Sequence, residues 1–414
     1  MLPLHGIRVL DLSRLLAGPF STTILGDLGA DILKVEALPK GDLYREAPPF
    51  HAGESVSFLA INRNKRSIGI DFRKEGALDL VREMADIADV VVENFKPGTM
   101  EKMGLSYEVL SAHNPRLIYA SISGFGRTGP YGHLPGVDQI AQGMSGFMSI
   151  TGQTDTGPTR VGVPIGDLVA GMWTAIGIQS AIIARHASGK GQRVDTSLLA
   201  GLVGLLSVQG QRYLSLGEVP DVAGNQHPVS SPYGLFHGSD GAFNFSATTQ
   251  AMWTKLCEHI GMEWMLTDAR FANSSLRRDN RVELERLIDE RLRTRPRDQW
   301  IKEFRELGMP AGPIYDLSQV FADPHIAQSG MVETTEHPAI GALRQLASPL
   351  KLECFANGSV RRPPPRLGEH TREILDELGF GAARVDGFVR AGIVQAANPG
   401  ARRSWCRRPP RSTG

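Results

Sequence analysis

The amino-acid sequence predicts an α/β fold: an open, mostly parallel sheet with helices on both of its faces. Apolar segments of strand length alternate with helical segments between residues 6 and 216. Strand–helix–strand units at this spacing are typical of right-handed crossovers in a parallel sheet. The alternation breaks up at residues 217–231, and a hairpin and several helices follow. These observations predict a large α/β domain followed by a smaller α+β domain.

The elements of the large domain follow from hydrophobic pattern and from glycine and proline positions. Strands are predicted at residues 6–12, 31–36, 67–72, 89–95, 117–123 and 191–195. Helices are predicted at residues 19–28, 75–88, 99–113, 168–185 and 196–216, and residues 136–152 are predicted to form a glycine-rich helix and its exit loop. Residues 124–129 match the dinucleotide pattern GxGxxG, but proline and glycine follow where that site needs a helix. We therefore interpret these glycines as loop residues.

The smaller domain shows a different pattern. Residues 233–236 and 242–247 are predicted strands, joined by a hairpin turn at 238–241. Helices are expected near 250–260, 280–293, 297–307 and 317–322, with a short strand at 310–314. Residues 330–370 return to loops and short strands, and the pattern is lost after about residue 396. Residues 396–414 are expected to form a disordered basic tail.

Composition limits the classes of partner. The 45 basic and 44 acidic residues give a net charge of +1, so neither nucleic acid nor an anionic membrane is indicated. An anionic ligand must instead be held by a local basic pocket. Cys257, Cys354 and Cys406 are too far apart for a CxxC metal site or a disulfide framework. Sparse cysteines and the lack of a signal-like N-terminus lead us to expect a cytoplasmic protein.

One acidic residue stands at the start of a predicted helix. Asp167 follows Gly166, between small and apolar residues, just before the apolar run 168–185. A carboxylate in a first helical turn meets free backbone N–H groups and a favourable dipole, so we expect its ionised form to be favoured. Such a carboxylate suits a nucleophile. The alternative is a helix cap, and this segment alone favours the cap.

Several segments taken together resemble the family III CoA-transferases, of the formyl-CoA transferase and carnitine CoA-transferase type. The similar segments are residues 6–36 (GIRVLDLSRLLAGPFSTTILGDLGADILKVE), 62–72, 89–110, 114–126, 166–167, 192–195 and 366–371 (RLGEHT). The resemblance extends from about residue 4 to residue 380.

The resemblance implies that Asp167 is the nucleophile of an acyl-CoA:carboxylate CoA-transferase. In that chemistry the aspartate forms an anhydride with the acyl group and then a thioester with CoA. No metal or organic cofactor is implied, because CoA itself is a substrate. Backbone N–H groups near Asp167 and in residues 143–146 are expected to stabilise the oxyanions.

The resemblance also implies a set of CoA contacts. They are Leu16, Ala17, Ile70, Asp71, Phe72, Arg73, Asn94, Phe95, Lys96, Lys102 and Asp138. Arg73 and Lys102 have the charge to bind phosphate, whereas Ile70 and Phe95 suit a wall for adenine or pantetheine. Without the resemblance, the two cations are better interpreted as surface charge.

Three positions depart from the formyl-CoA enzymes. Ala37 replaces an arginine, Leu16 a glutamine and Val137 a tyrosine, which favours a larger or less polar acyl group over oxalate and formate. An α-methylacyl-CoA racemase is an alternative, but Val137 stands where racemases carry a proton-exchanging histidine. A non-catalytic protein that binds CoA thioesters is a second alternative, which the presence of Asp167 weakens.

The resemblance implies an interlocked homodimer in which both chain ends build the large domain. Residues 1–216 then form the N-terminal part of that domain, 217–231 a linker and 232–325 the small α+β domain. Residues 326–395 form a return segment that completes the large domain. The implied partners are an acyl-CoA, a small carboxylic acid and a second copy of the chain.

Overall fold

The protein is described from a computed structural model that covers residues 1–355 and 358–395. The predicted tail at 396–414 lies outside the described residues. The strands are β1 Arg8–Asp11, β2 Asp31–Ala37, β3 Phe50–His51, β4 Glu54–Ser55, β5 Lys65–Ile70, β6 Val90–Glu93, β7 Ile118–Ser123, β8 Gly152–Gln153, β9 Gly157–Pro158, β10 Arg193–Ser197, β11 Tyr233–Gly238, β12 Gly241–Ser246, β13 Ala311–Pro313, β14 Val332–His337 and β15 Gly341–Leu346.

The α-helices connect and cover these strands. They are α1 Ala17–Asp27, α2 Val56–Ala60, α3 Ala77–Asp86, α4 Thr99–Lys102, α5 Tyr107–His113, α6 Asp138–Met144, α7 Ile165–Ser188, α8 Leu198–Leu205, α9 Ser207–Leu216, α10 Gln250–His259, α11 Ser274–Asp279, α12 Arg281–Leu292, α13 Arg297–Glu306, α14 Leu317–Ala322, α15 Pro324–Gln328, α16 Thr371–Glu377 and α17 Ala382–Arg390.

The main sheet confirms the predicted parallel architecture. Its six strands follow the order β10-β7-β6-β1-β2-β5, and all neighbours are parallel. Val9 and Leu10, consecutive residues of β1, are both fully buried but belong to different apolar clusters. Because successive strand residues point to opposite faces, the sheet is covered on both faces.

Two compact units make up the chain. The first contains residues 1–141, 164–204 and the described part of 330–414, and therefore the main sheet. The second contains residues 142–163 and 205–329. Its core packs aromatic residues such as Trp253, Trp300 and Phe304 beside the antiparallel sheet β11-β12-β13. The domain limits expected from the sequence stay a prediction.

The C-terminal segment of the first unit lies along the free edge of β5. His370 N–H donates to the Ser67 carbonyl at 2.9 Å, and Asp71 N–H donates to the Ile393 carbonyl at 2.8 Å. Ile70 also forms an antiparallel bridge with Val394. Main-chain groups at the edge of the sheet are thus satisfied by residues about 300 positions further along the chain.

Several predicted helices differ in detail. The predicted helix 99–113 is two helices, with Gly104 at a φ of 65° between them. The predicted helix 196–216 is also broken, at Ser207, whose φ is 44°. The expectation that the Asp167 helix is mostly buried is correct for one face of α7 only. Its other face exposes four large apolar side chains: Met172, Trp173, Ile176 and Ile183.

Helix α7 is also the one described helix that is long and apolar enough to cross a membrane by length and composition. Core helices of soluble proteins have the same property. The glycine-rich turn behaves as predicted, because α6 begins only at Asp138. A Cβ atom on Gly124 would lie 2.4 Å from the Gly136 Cα atom, so these glycines allow two backbone segments to touch.

Candidate active site

The candidate site lies where parallel strands of the main sheet end. Residues 12–16 follow β1, residues 71–76 follow β5 and residues 94–98 follow β6. The carboxyl ends of parallel strands meet at one edge of a sheet, which is the common ligand edge of open α/β folds. Most of the predicted CoA contacts fall in these three loops.

Helix α7, which carries Asp167, packs against the start of α1. A Cβ atom on Gly171 would lie only 2.7 Å from the Ala17 carbonyl oxygen, so the start of α1 touches α7 one turn after Asp167. Asp167 itself is in the first turn of α7 and is half-buried. Close helix packing at a glycine therefore places the candidate nucleophile about one helical turn from the contact between α7 and Ala17.

A second carboxylate is held next to Asp167. Asp138 is buried at the start of α6, and its Oδ1 accepts a hydrogen bond of 2.8 Å from Gly166 N–H. Burial, and then the Asp138 charge, raise the pKa of Asp167 to about 7. The expectation that the first turn favours the ionised carboxylate is therefore wrong in its net effect, because burial and a like charge oppose the helix dipole.

The same hydrogen bond corrects a second expectation. The Gly166 N–H points to Asp138, so this donor is already used and is not available for an oxyanion. Gly166 is needed for another reason. A Cβ atom at this position would lie 3.0 Å from Asp138 Oδ1, closer than an ordinary contact.

Tyr44 is a neighbour of Asp167 that the sequence did not reveal. It lies in a 3₁₀ turn, Leu43–Glu46, and is half-buried. Burial and then the charges of Asp167, Asp42 and Asp138 raise the pKa of its phenol. The Tyr44 hydroxyl therefore lies within electrostatic reach of the candidate nucleophile.

Asp42 ties this turn to the loop after β1. Its Oδ1 accepts hydrogen bonds of 3.0 Å from both Leu15 N–H and Tyr44 N–H. Its Oδ2 forms a buried ion pair with Lys34 Nζ at 2.8 Å, and Lys34 also donates to the Ser13 carbonyl at 3.0 Å. Buried charges stay in place only when they are paired, so this cluster holds residues 13–15 in one conformation.

The loop after β1 is also fixed to the loop after β6. Arg14 N–H donates to Asn94 Oδ1 at 2.9 Å, and Asn94 Nδ2 donates to the Arg14 carbonyl at 2.7 Å. Phe95 N–H donates to the buried carboxyl group of Glu93 at 2.8 Å. Burial raises the pKa of Glu93 to about 7, although the bonds from Phe95 and Ser121 oppose the rise.

The other predicted contacts differ in accessibility. Lys96 and Lys102 are exposed, as a phosphate contact requires. Ile70 is fully buried in the main core, and Asp71 holds Arg73 through bonds of 2.7 and 2.8 Å. The structure therefore does not present Ile70 as a free apolar wall. The roles of these residues in CoA binding stay predictions.

Sequence reasoning missed Arg14, Tyr44 and Glu93. Arg14 and Glu93 lie inside the segments on which the resemblance rested, next to predicted contacts, so their position was a usable signal. Tyr44 carries no comparable signal. Its place near Asp167 depends on the buried pair between Lys34 and Asp42, which no spacing in the sequence announces.

The chain is similar to known proteins over most of its length. A family model described as CoA-transferase family III matches residues 4–371. Succinyl-CoA:glutarate CoA-transferase of Mus musculus is 36% identical over 95% of this chain and 91% of its own length. Succinate–glutarate CoA-transferase of Agrobacterium fabrum is 39% identical over 91% of this chain and 96% of its own length. The crystal structure of a CAIB/BAIF family protein from Brucella suis has a TM-score of 0.81 and 41% identity, covering 91% of this chain and 99% of that chain.

Proposed function

The chain belongs to CoA-transferase family III and is an enzyme that transfers CoA, and we propose that it moves CoA from succinyl-CoA to another small dicarboxylic acid, with Asp167 as nucleophile. One observation carries the proposal: a half-buried carboxylate stands in the first turn of α7, one turn before the glycine at which α7 touches α1. The choice of succinyl-CoA and a dicarboxylic acid rests on the named relatives.

The proposed reaction has four displacements. An Asp167 carboxylate oxygen attacks the thioester carbonyl, the C–S bond breaks, and CoA leaves as a thiolate. The thiolate attacks the aspartyl carbonyl of the resulting anhydride and releases the donor acid, which leaves an aspartyl-CoA thioester. The acceptor carboxylate displaces CoA to form a second anhydride. The thiolate then attacks the acceptor carbonyl, giving the new acyl-CoA and free Asp167, with no net proton change.

The charges around Asp167 suit this sequence. A carboxyl group whose pKa is raised to about 7 is more basic than an ordinary aspartate and still ionises near neutral pH. Acylation turns the carboxylate into a neutral anhydride, which removes its repulsion with Asp138 and the desolvation of its charge. Burial and the Asp138 charge thus destabilise the free carboxylate more than the acylated enzyme. Acylation of Asp167 is therefore more favourable than acylation of an exposed aspartate.

A matrix of CoA thioesters and free acids tests the proposal. Succinyl-, glutaryl- and acetyl-CoA are each incubated with succinate, glutarate, mesaconate and oxalate, and exchanged thioesters are identified by mass spectrometry. We expect exchange that depends on the acid, with succinyl-CoA among the best donors. Thioester hydrolysis without exchange contradicts the proposal.

The racemase alternative has its own test. Val137 has no titratable atom and is 62% exposed, so Asp167 alone would return a proton to the face from which it came. We therefore expect 2-methylacyl-CoA to show neither inversion nor deuterium uptake in deuterated water. Rapid inversion without an acceptor acid overturns the assignment.

We also propose that two copies of the chain form an interlocked dimer. The interlocked arrangement rests on the family resemblance. An interface with a second copy is supported by the exposed face of α7, where Met172, Ile176 and Ile183 lie at helical spacing and are 50%, 50% and 71% exposed. A stripe of this kind is typical of a protein interface. The absence of a metal or organic cofactor and the cytoplasmic location stay part of the proposal and are supported by composition alone.

A further inference from the structure

The backbone of Arg14 is held from both sides. Its N–H donates to Asn94 Oδ1, and its carbonyl accepts from Asn94 Nδ2, at 2.9 and 2.7 Å. The neighbouring Leu15 N–H is held by Asp42 at 3.0 Å. A residue whose main chain is fixed in this way presents its side chain from a defined point.

The side chain of Arg14 is exposed and rests on an aromatic ring. Its guanidinium carbon lies 5.2 Å from the centre of the Phe95 ring. Phe95 is itself held, because its side chain packs against the main apolar cluster and its N–H donates to the buried Glu93. Stacking on a ring face orients a guanidinium while leaving its N–H donors free at the edge.

These donors are not used by an acid. No carboxylate of residues 1–355 or 358–395 forms an ion pair with Arg14, although two other arginines at this edge of the sheet are paired. Arg73 is bound by Asp71 at 2.7 Å, and Arg127 by Glu101 at 3.1 Å. Arg14 is therefore an oriented cation that keeps its planar set of donors for a ligand.

We propose that Arg14 binds a phosphate group of CoA. A guanidinium can donate two parallel hydrogen bonds to a phosphate, and two exposed lysines of the same region, Lys96 and Lys102, add positive charge. The proposal deepens the proposed function, on which it rests for the identity of the ligand as CoA.

The other anion of the proposed donor is the distal carboxylate of the succinyl group. Arg14 stacks on Phe95, which directly precedes the exposed Lys96 in the chain. A second cation in this loop favours a phosphate, which carries more negative charge than a carboxylate. The experiment below distinguishes the two anions.

The test compares Arg14→Ala and Arg14→Gln with Arg116→Ala as the matched control. Arg116 is also an exposed arginine, but it lies before β7, at the opposite end of the strand from the candidate site, and donates to the Gly189 carbonyl. Binding of CoA and of pantetheine, which lacks the phosphates, is measured by calorimetry. Transfer is measured with succinyl-CoA, butyryl-CoA and succinyl-pantetheine as donors, and thermal melting reports folding.

We expect both Arg14 variants to bind CoA about tenfold or more weakly, while pantetheine binding and Arg116→Ala stay at the wild-type level. The KM should rise equally for succinyl-CoA and butyryl-CoA, and kcat/KM for succinyl-pantetheine should not change. If kcat/KM falls for both succinyl-CoA and succinyl-pantetheine but not for butyryl-CoA, Arg14 contacts the succinyl carboxylate, and the proposal is overturned. Unchanged CoA binding in folded Arg14→Gln also overturns it. The binding readouts do not depend on turnover, so failure of the proposed transfer reaction is distinguishable.

Discussion

Asp138 Oδ1 accepts the Gly166 N–H at 2.8 Å, which fixes one carboxylate beside the residue that precedes Asp167. The two acids play different parts in this arrangement. Asp138 is held by a backbone donor, whereas burial and the charge of Asp138 raise the pKa of Asp167 to about 7. The pair thus provides one anchored charge and one carboxyl group that titrates near neutral pH.

Asp138→Asn should move the pH dependence of transfer. Below its pKa Asp167 is protonated and not nucleophilic, so the wild-type kcat should rise with pH through about 7. An asparagine at position 138 still offers an oxygen that accepts from Gly166 N–H, but it removes the negative charge beside Asp167. The midpoint of the pH–rate profile should therefore move to lower pH. The pKa of Asp167 in this variant should still lie above the range of an ordinary aspartate, because burial raises it more than the Asp138 charge does. Pre-steady-state acylation rates between pH 5 and 9 measure it, and an unchanged midpoint contradicts this account.

Asp167→Asn and Asp167→Ala should lower exchange by more than about a thousandfold, because no other group replaces the nucleophile. CoA binding measured by calorimetry should change little. In the wild type, hydroxylamine added after an acyl-CoA should modify Asp167 and not Asp138, as read by peptide mass spectrometry. Full exchange in the Asn variant would exclude a covalent aspartyl intermediate.

Gly171→Ala should damage both stability and activity. The new Cβ atom would meet the Ala17 carbonyl oxygen at 2.7 Å, so α1 and α7 must separate, at a cost of about 1–3 kcal/mol in the free energy of unfolding. Gly387→Ala is the control, since no atom lies within 4 Å of its Cβ position in α17. That variant should be neutral or gain up to about 1 kcal/mol. The free energy of unfolding in urea and kcat are measured for both variants. Equal free energies of unfolding for Gly171→Ala and Gly387→Ala would refute the close contact between α1 and α7.

The dimer should survive dilution, because interlocked chains separate only by unfolding. Sedimentation at nanomolar concentration should give twice the 45.0 kDa chain mass. Met172→Glu combined with Ile176→Glu should yield monomer or insoluble chain, since both side chains lie on the exposed face of α7. Val282→Glu changes a single exposed apolar side chain of α12 and should leave the dimer intact. A folded, soluble wild-type monomer is the result that contradicts the proposal.

The six strands of the main sheet were predictable because apolar runs end at clear glycine and proline signals. The breaks inside two predicted helices were harder to predict from the sequence. Gly104 gave a weak signal, but Ser207 adopts a positive φ that its residue type does not announce. The exposure of Ile176 and Ile183 was also hidden, because an apolar helix pattern does not say which face another protein surface covers.

The position of the candidate nucleophile was predictable from the sequence, whereas the electrostatics around it were less so. Gly166–Asp167 and the resemblance identified one acid, yet the sign of its pKa shift depends on Asp138, which lies 28 residues earlier in the chain. Tyr44 and Arg14 reach the site through contacts with Asp42 and Asn94. Such contacts depend on how distant loops meet in space, which sequence spacing does not encode.

The late pairing along β5 has a consequence for synthesis. His370, Ile393 and Val394 satisfy the edge of a strand that ends at Ile70, so about 300 further residues must be translated before that edge is closed. Translation adds about 5–20 residues per second, so the main-chain donors and acceptors at this edge stay unpaired for on the order of 15–60 s. During this interval the open edge of β5 can pair with another extended segment, including one of a neighbouring nascent chain on the same messenger RNA.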